Sequence, residues 1–313
     1  MSAIFYVFLF ASVSHIAVSL LFPKGQVVSF WYKNKISLNE GDTSECSSSI
    51  NSTNIFNDIK MKMLEIKATS MTADGSAVDY PTVKKSASFA QYVDLVKELK
   101  AVDLAQLSAS AKKAALINIY NSLIVHAILE GLLDLNGGTV ARLKLYASAS
   151  YQIGQYLFSL NEIENGLLRL NRKSAVPMTF RPFRKENDPR RKLMMDELDP
   201  RIHFALNCGA KSCPPIGVYS PDPEELDEQL ALATESFLDD SVFFDATTKT
   251  ITLSMLFNWY KNDFGNNDEE VIEWVKTHAS PELRGKLQTF QNSLKGDQPK
   301  ISFSAYDWNL NSL

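Results

Sequence analysis

The sequence predicts an α+β fold, a predominantly helical single domain around a small mixed or antiparallel sheet. Three observations lead there. Apolar residues recur mostly at helical spacing, as in Phe89, Tyr92, Val93, Val96 and Leu99, the mark of amphipathic helices. Only a few short stretches alternate apolar and polar residues as half-buried strands do. With 313 residues and 45% hydrophobic content, the chain can bury a substantial core.

Taken in order, Ile4 to Phe22 contains no Lys, Arg, Asp or Glu. Residues 1–23 are therefore expected to be a signal peptide or a signal anchor. The run is at the lower end of the roughly 17–25 residues a membrane span needs. Ala17–Val18–Ser19 offers a small-x-small cleavage site, whereas Lys24, Lys33 and Lys35 follow as they would after an anchor. Both readings place the protein in the secretory pathway, secreted or tethered to a membrane through residues 4–22. Asn51–Ser52–Thr53 is a glycosylation acceptor sequence in keeping with that route. Ser37 to Asn57 is rich in Ser, Asn, Thr and Asp, so residues 24–85 are expected to be a linker and a poorly ordered N-terminal region. Cys46 lies inside it, either a partner for an intermolecular bond or a free thiol. Residues 86–313 form the globular domain.

Within that domain Ser110 to Leu132 is the longest helix candidate, with Ser110 as N-cap and apolar residues on nearly all sides from Leu116 to Leu133. A helix apolar all round is buried. Asn118, Tyr120, Asn121 and His126 must then find hydrogen-bond partners, because a buried polar group left alone costs roughly 1–3 kcal/mol. They fasten the helix to neighbouring loops or line a site. Tyr151 to Phe158 is a strand candidate. Ser159–Leu160–Asn161–Glu162 follows the capping-box pattern and opens a helix that buries Ile163, Leu167 and Leu170, with Glu162, Asn165 and Arg169 on a polar stripe. Arg172 to Arg191, with three prolines, is a surface loop, and Leu193 to Leu198 a short helix.

Asp199 to Ile216 holds two of the three cysteines and one of the four histidines. Ile202, Phe204 and Leu206 alternate as in a strand, which would put Arg201, His203 and Asn207 on one face. Gly209 permits a turn and Pro214–Pro215 stiffen the exit. Further on, Leu226, Leu230, Ala233 and Phe237 mark a helix, and Val242–Phe244 with Thr250–Leu253 a hairpin. Ser254 and Ser280 cap two more helices around one at Val271 to Val275, and Ile301–Phe303 is a last strand.

Four motifs, Asn118–Ile119–Tyr120–Asn121, Ile163–Glu164–Asn165–Gly166, Asp199 through Pro215 and Tyr306–Asp307–Trp308–Asn309–Leu310–Asn311, together resemble the family known as domain of unknown function 547, found in bacteria, plants and animals. The resemblance covers roughly residues 89–311. It implies no established reaction, although animal relatives can carry a glutaredoxin-like or signalling domain beside it. A looser likeness to papain-like folds goes with it. Where the family often has His, this chain has Asn165.

A net charge of -4 and a pI near 5.7 leave no basic field for a phosphate backbone, so nucleic acid is not an expected partner. No Gly-rich phosphate loop and no zinc spacing call for a cofactor or a metal. Two functions compete. One is a binding or interaction module for an unknown ligand or protein, its polar cleft formed by Asn118, Tyr120, Asn121, Glu164, Arg201 and Asn207, with Cys208 and Cys213 closed into a disulfide. The other is a thiol-dependent acyl hydrolase or transferase, with Cys213 or Cys208 as nucleophile and His203 or His126 as base. Cys213 is preferred, because strand parity turns Cys208 away from His203. A metal or redox role for the two sulfurs is a third option.

Overall fold

Helix-forming and strand-forming stretches segregate as expected. The computed structural model describes residues 33–43, 52–174 and 181–313, and within them the chain is an α+β domain with two small mixed sheets. In the first, β2 (Ala149–Ile153) and β3 (Tyr156–Ser159) run antiparallel through a turn at Gly154, whose φ of 55° suits glycine. The short β1 (Ile36–Ser37) adds to β2 in parallel. In the second, the hairpin of β4 (Phe243–Asp245) and β5 (Thr250–Leu253) takes β6 (Lys300–Phe303) in parallel against β5.

The helices divide between two apolar cores. Around the first pack α1 (Ser52–Ser70), α2 (Tyr80–Lys85), α3 (Ala87–Leu95), the central α4 (Ala109–Leu129) and α5 (Gly138–Ser148), together with the first sheet. Around the second pack α7 (Met255–Trp259), α8 (Lys261–Phe264), α9 (Asp268–His278), α10 (Pro281–Ser293) and the second sheet. The long α6 (Pro223–Ser241) serves both: Leu226 and Leu230 enter the first core and Leu238 the second. As its composition requires, α4 is buried on every side from Ala114 to Ala127. Its N-cap is Ser108, whose hydroxyl accepts from the Ala111 amide at 3.2 Å, two residues before the expected Ser110.

Several expectations need correcting. Residues 52–85 are no linker: α1 places Ile55, Ile59, Met63 and Ile66 in the first core at spacings of one helical turn, a stripe hidden among many polar neighbours. The expected strand at Ile202 to Leu206 is a 3₁₀ helix, Pro200–Phe204, started by Asp199, whose side chain accepts from the Arg201 amide. Its alternation has another cause. At about 120° per residue, Ile202 and Phe204 point in different directions, and each fills a different core. Finally, Glu162, Asn165 and Arg169 are all buried, because Glu162–Leu168, which Arg169 caps, is a π-helix whose period is not 3.6. The capping box itself is present: the Ser159 amide donates to Glu162 and the Glu162 amide to Ser159. In place of a helix over residues 193–198, a 3₁₀ turn at Pro189–Leu193 lies just upstream. Residues 1–23, Cys46 and Asn51 lie outside the described residues. Among those that are described, no helix is long and apolar enough to cross a membrane.

Candidate functional site

The amides of α4 hold the segment 205–219 in place. Asn121 donates to the carbonyl of Ala205 at 2.9 Å and accepts from the amide of Asn207 at 2.9 Å. One turn earlier, Asn118 does the same with the carbonyl and amide of Tyr219, at 2.8 and 2.9 Å. Between these clamps Asn207 donates to Pro214 O at 2.7 Å and accepts from the Gly209 amide at 2.8 Å, closing the loop on itself. Gly209 has a φ of 76°, and a Cβ there would come within 2.9 Å of Ile128. The loop also closes through a disulfide between Cys208 and Cys213.

This loop forms one wall of a cleft at the seam of the two cores. The π-helical turn and the residue before it supply Asn161, Glu164 and Asn165. From α4 comes Tyr120, from α7 Trp259, from its C-cap Tyr260, and from the C-terminal segment Tyr306 and Trp308. His203 closes the deep end. The cavity measures about 60 Å³, room for about four waters at the roughly 10–15 Å³ each needs. That suits a compact head group and excludes a drug-sized molecule.

Hydrogen bonds order the lining. Glu164 accepts from the hydroxyl of Tyr260 at 2.6 Å and from that of Tyr120 at 3.2 Å. Burial first, and then the charge of Glu164, push both phenols well above their ordinary range, so they stay protonated donors. The Tyr306 hydroxyl lies 3.1 Å from Cys213 Sγ and 3.4 Å from Cys208 Sγ, while Tyr146 donates to Cys208 O at 3.0 Å. Asn161 is different. Its Oδ1 accepts from Asn165 at 3.0 Å, but its Nδ2, on a side chain only 3% exposed, has no protein acceptor.

Behind the cleft sits a buried charge group. Asp263 accepts from His203 Nε2 at 2.8 Å, from Arg169 Nε at 2.6 Å and from Arg172 at 2.7 Å. Burial works to raise the Asp263 pKa, but the bonds from His203 and Arg169 outweigh it and hold this carboxyl far below the usual carboxylate range. His203 moves down, through burial first and then Arg169, against the pull of Asp263. Its ring stacks on Tyr260 with centroids 4.0 Å apart. Arg169 also bonds Asn165, so Asn165 belongs to this group as well.

Of the residues singled out in the sequence, the cleft brings together His203, Cys208, Cys213, Tyr120 and Glu164. The others lie elsewhere. His126 sits in the first core, its Nδ1 2.7 Å from the Tyr151 hydroxyl and its ring edge-on to Phe89 at 5.4 Å, so it cannot assist either sulfur. Asn118, Asn121 and Asn207 have both ends of their amides committed to backbone. Arg201 pairs with Asp199 and Asp227 in a separate groove. Cys213 is bonded to Cys208, and a bonded pair carries no thiolate. Sequence reasoning missed Asn161 and Asp263 and took Trp259 and Tyr260 as ordinary helix residues. Only the Tyr306–Asp307–Trp308 motif pointed towards the aromatic wall.

Residues 104–238 match the model of the family described as protein of unknown function, DUF547. No curated protein matches the chain. No solved structure matches it either, so the expected papain-like fold draws nothing from a known structure. The matched segment carries α4, the π-helical turn and both cleft cysteines. Trp259, Tyr260, Tyr306 and Trp308 lie beyond it.

Proposed function

We propose, from a family match over residues 104–238 that brings no reaction with it, that this chain is a binding module whose aromatic cleft takes the head group of a small polar ligand. One observation carries the reading. The Asn161 Nδ2 donor is buried and lacks a protein acceptor, on a residue that lines the cleft. Such a group costs about 1–3 kcal/mol when left unmade, and an acceptor oxygen on a ligand recovers it. Glu164, which lines the same cleft, offers the complementary acceptor. The test is ligand-detected NMR of the full chain against a library of small polar compounds, repeated on Trp259→Ala. Hits that lose their signal in the variant support the reading. Hits indifferent to Trp259, or none at all, overturn it.

Thiol-dependent acyl transfer is the second reading, favoured by one feature. The Tyr306 hydroxyl and the backbone amide of Cys208 both lie at Cys213 Sγ, at 3.1 and 3.0 Å, where they would stabilise negative charge on that sulfur. This chemistry needs the disulfide reduced first, by a dithiol. Entry into the secretory pathway is also part of the proposal, supported by the uncharged run 4–22 and by a disulfide that oxidising compartments favour. N-terminal sequencing of the protein from a secreting host tests it, and retention in the cytosol would refute it.

A further inference from the structure

Resting on the cleft being a ligand site, we infer that the ligand it takes is a compact ammonium cation carrying a hydrogen-bond-accepting oxygen a few bonds from its nitrogen. Three features of the cleft specify that chemistry, and each constrains a different part of the ligand.

The first is charge. Among the described residues Glu164 takes part in no ion pair, and its two donors are the neutral phenols of Tyr120 and Tyr260. The more deeply buried Asp263 and Glu162 and the half-buried Asp199 do have cationic partners: Asp263 has Arg169, Glu162 has Lys35 and Arg190, and Asp199 has Lys113 and Arg201. Arg169 acts on Glu164 through its charge but without a hydrogen bond or ion pair, so this half-buried carboxylate, bonded only by neutral donors, still gains from a cation brought by something else. The second is the aromatic corner. The rings of Trp259, Tyr306 and Trp308 lie with centroids 4.8, 5.3 and 4.6 Å apart pairwise, and all three line the cleft. The negative face of an exposed aromatic ring attracts an ammonium and tolerates its methyl groups. The one guanidinium against this corner, Arg142 over Trp308 at 5.4 Å, is not part of the lining and donates to the carbonyls of Cys208 and Trp308.

The third feature fixes the oxygen. Asn161 and Glu164 both line this cavity of about 60 Å³, so a ligand that meets both keeps its two polar ends a few bonds apart. The open Nδ2 donor of Asn161 therefore meets a ligand oxygen close to the cation that Glu164 attracts. Choline has this arrangement, and its size suits the cavity.

The experiment is calorimetric titration of the full chain with choline and with 3,3-dimethylbutan-1-ol, its neutral carbon isostere. The expected result is binding of choline about tenfold or more tighter than the isostere, with Glu164→Gln reducing that difference and Trp259→Phe weakening choline less than Trp259→Ala. Circular dichroism on each variant separates lost binding from lost folding. Equal binding of the two compounds overturns the cation and leaves the cleft a ligand site. Failure of both to bind overturns the cation as well, and the compound library then decides independently whether the cleft binds anything.

Discussion

His203 Nε2 lies 2.8 Å from Oδ2 of Asp263, sixty residues further along the chain. The carboxylate can only accept, so this nitrogen carries the proton and Nδ1 is left as the acceptor. Asp263 also neutralises the buried Arg169. Asp263→Ala would leave an arginine uncompensated in the interior, a change that costs about 3–5 kcal/mol. The expected result is a loss of that size in urea unfolding, together with weakened ligand binding as His203 and Tyr260 lose their support. An unfolding midpoint equal to that of the wild type would contradict the assignment.

Asn118 serves the fold alone. Asn118→Leu leaves the carbonyl and the amide of Tyr219 unpaired in a buried position, which at about 1–3 kcal/mol per group predicts a loss of roughly 2–6 kcal/mol. Because Asn118 is not part of the cleft, any compound that binds there should bind the folded variant with unchanged affinity. Unchanged stability, or a changed affinity, would be the adverse result.

Sequence pattern gave away what depends on local periodicity. The buried α4, the hairpin of β4 and β5, and the caps at Ser254 and Ser280 follow from spacing and from Ser or Asp ahead of an apolar run. So did the bend at Gly209 that carries His203 and both sulfurs to one cleft. Two kinds of feature escaped. At Ile202 and Phe204, alternation came from two cores drawing neighbouring residues apart, and the capping signal of Asp199–Pro200 was outweighed by it. In α1, a sparse stripe of Ile55, Ile59, Met63 and Ile66 was masked by polar composition. The wall of Trp259, Tyr306 and Trp308, and the pairing of His203 with Asp263, depend on segments distant in sequence meeting at the seam, and no local pattern encodes such a meeting.

His126 should give the protein an acid limb of its own. Burial pushes its pKa from 6.5 down to about 4. The unfolded chain therefore binds the proton more tightly than the folded one, so stability is fully present above about pH 6.5 and declines as pH falls towards 4. A drop of about 2.5 pH units at 1.36 kcal/mol each is roughly 3 kcal/mol. Melting temperature measured across that window should fall less steeply in His126→Gln than in wild type, whatever the variant does at pH 8. Parallel curves would show that His126 is not the group responsible.

The Cys208–Cys213 bond closes a loop with a sequence separation of only 5, so its entropic contribution is small, about 2 kcal/mol in the chain-entropy account. The loop is also held by the side chains of Asn207 and Asn121 through four hydrogen bonds to backbone groups, among them Asn207 to Pro214 and Asn121 to Ala205. Reduction should therefore lower stability by about that amount without opening the fold. Alkylation of the native protein, followed by peptide mapping, should leave both cysteines unlabelled until a dithiol is added. Afterwards Cys213 should react at a lower pH than the ordinary thiol pKa of about 8.5 implies, because the Tyr306 hydroxyl and the Cys208 amide remain beside it. Labelling of Cys213 before reduction would remove the disulfide from the cleft wall and turn the balance towards thiol chemistry.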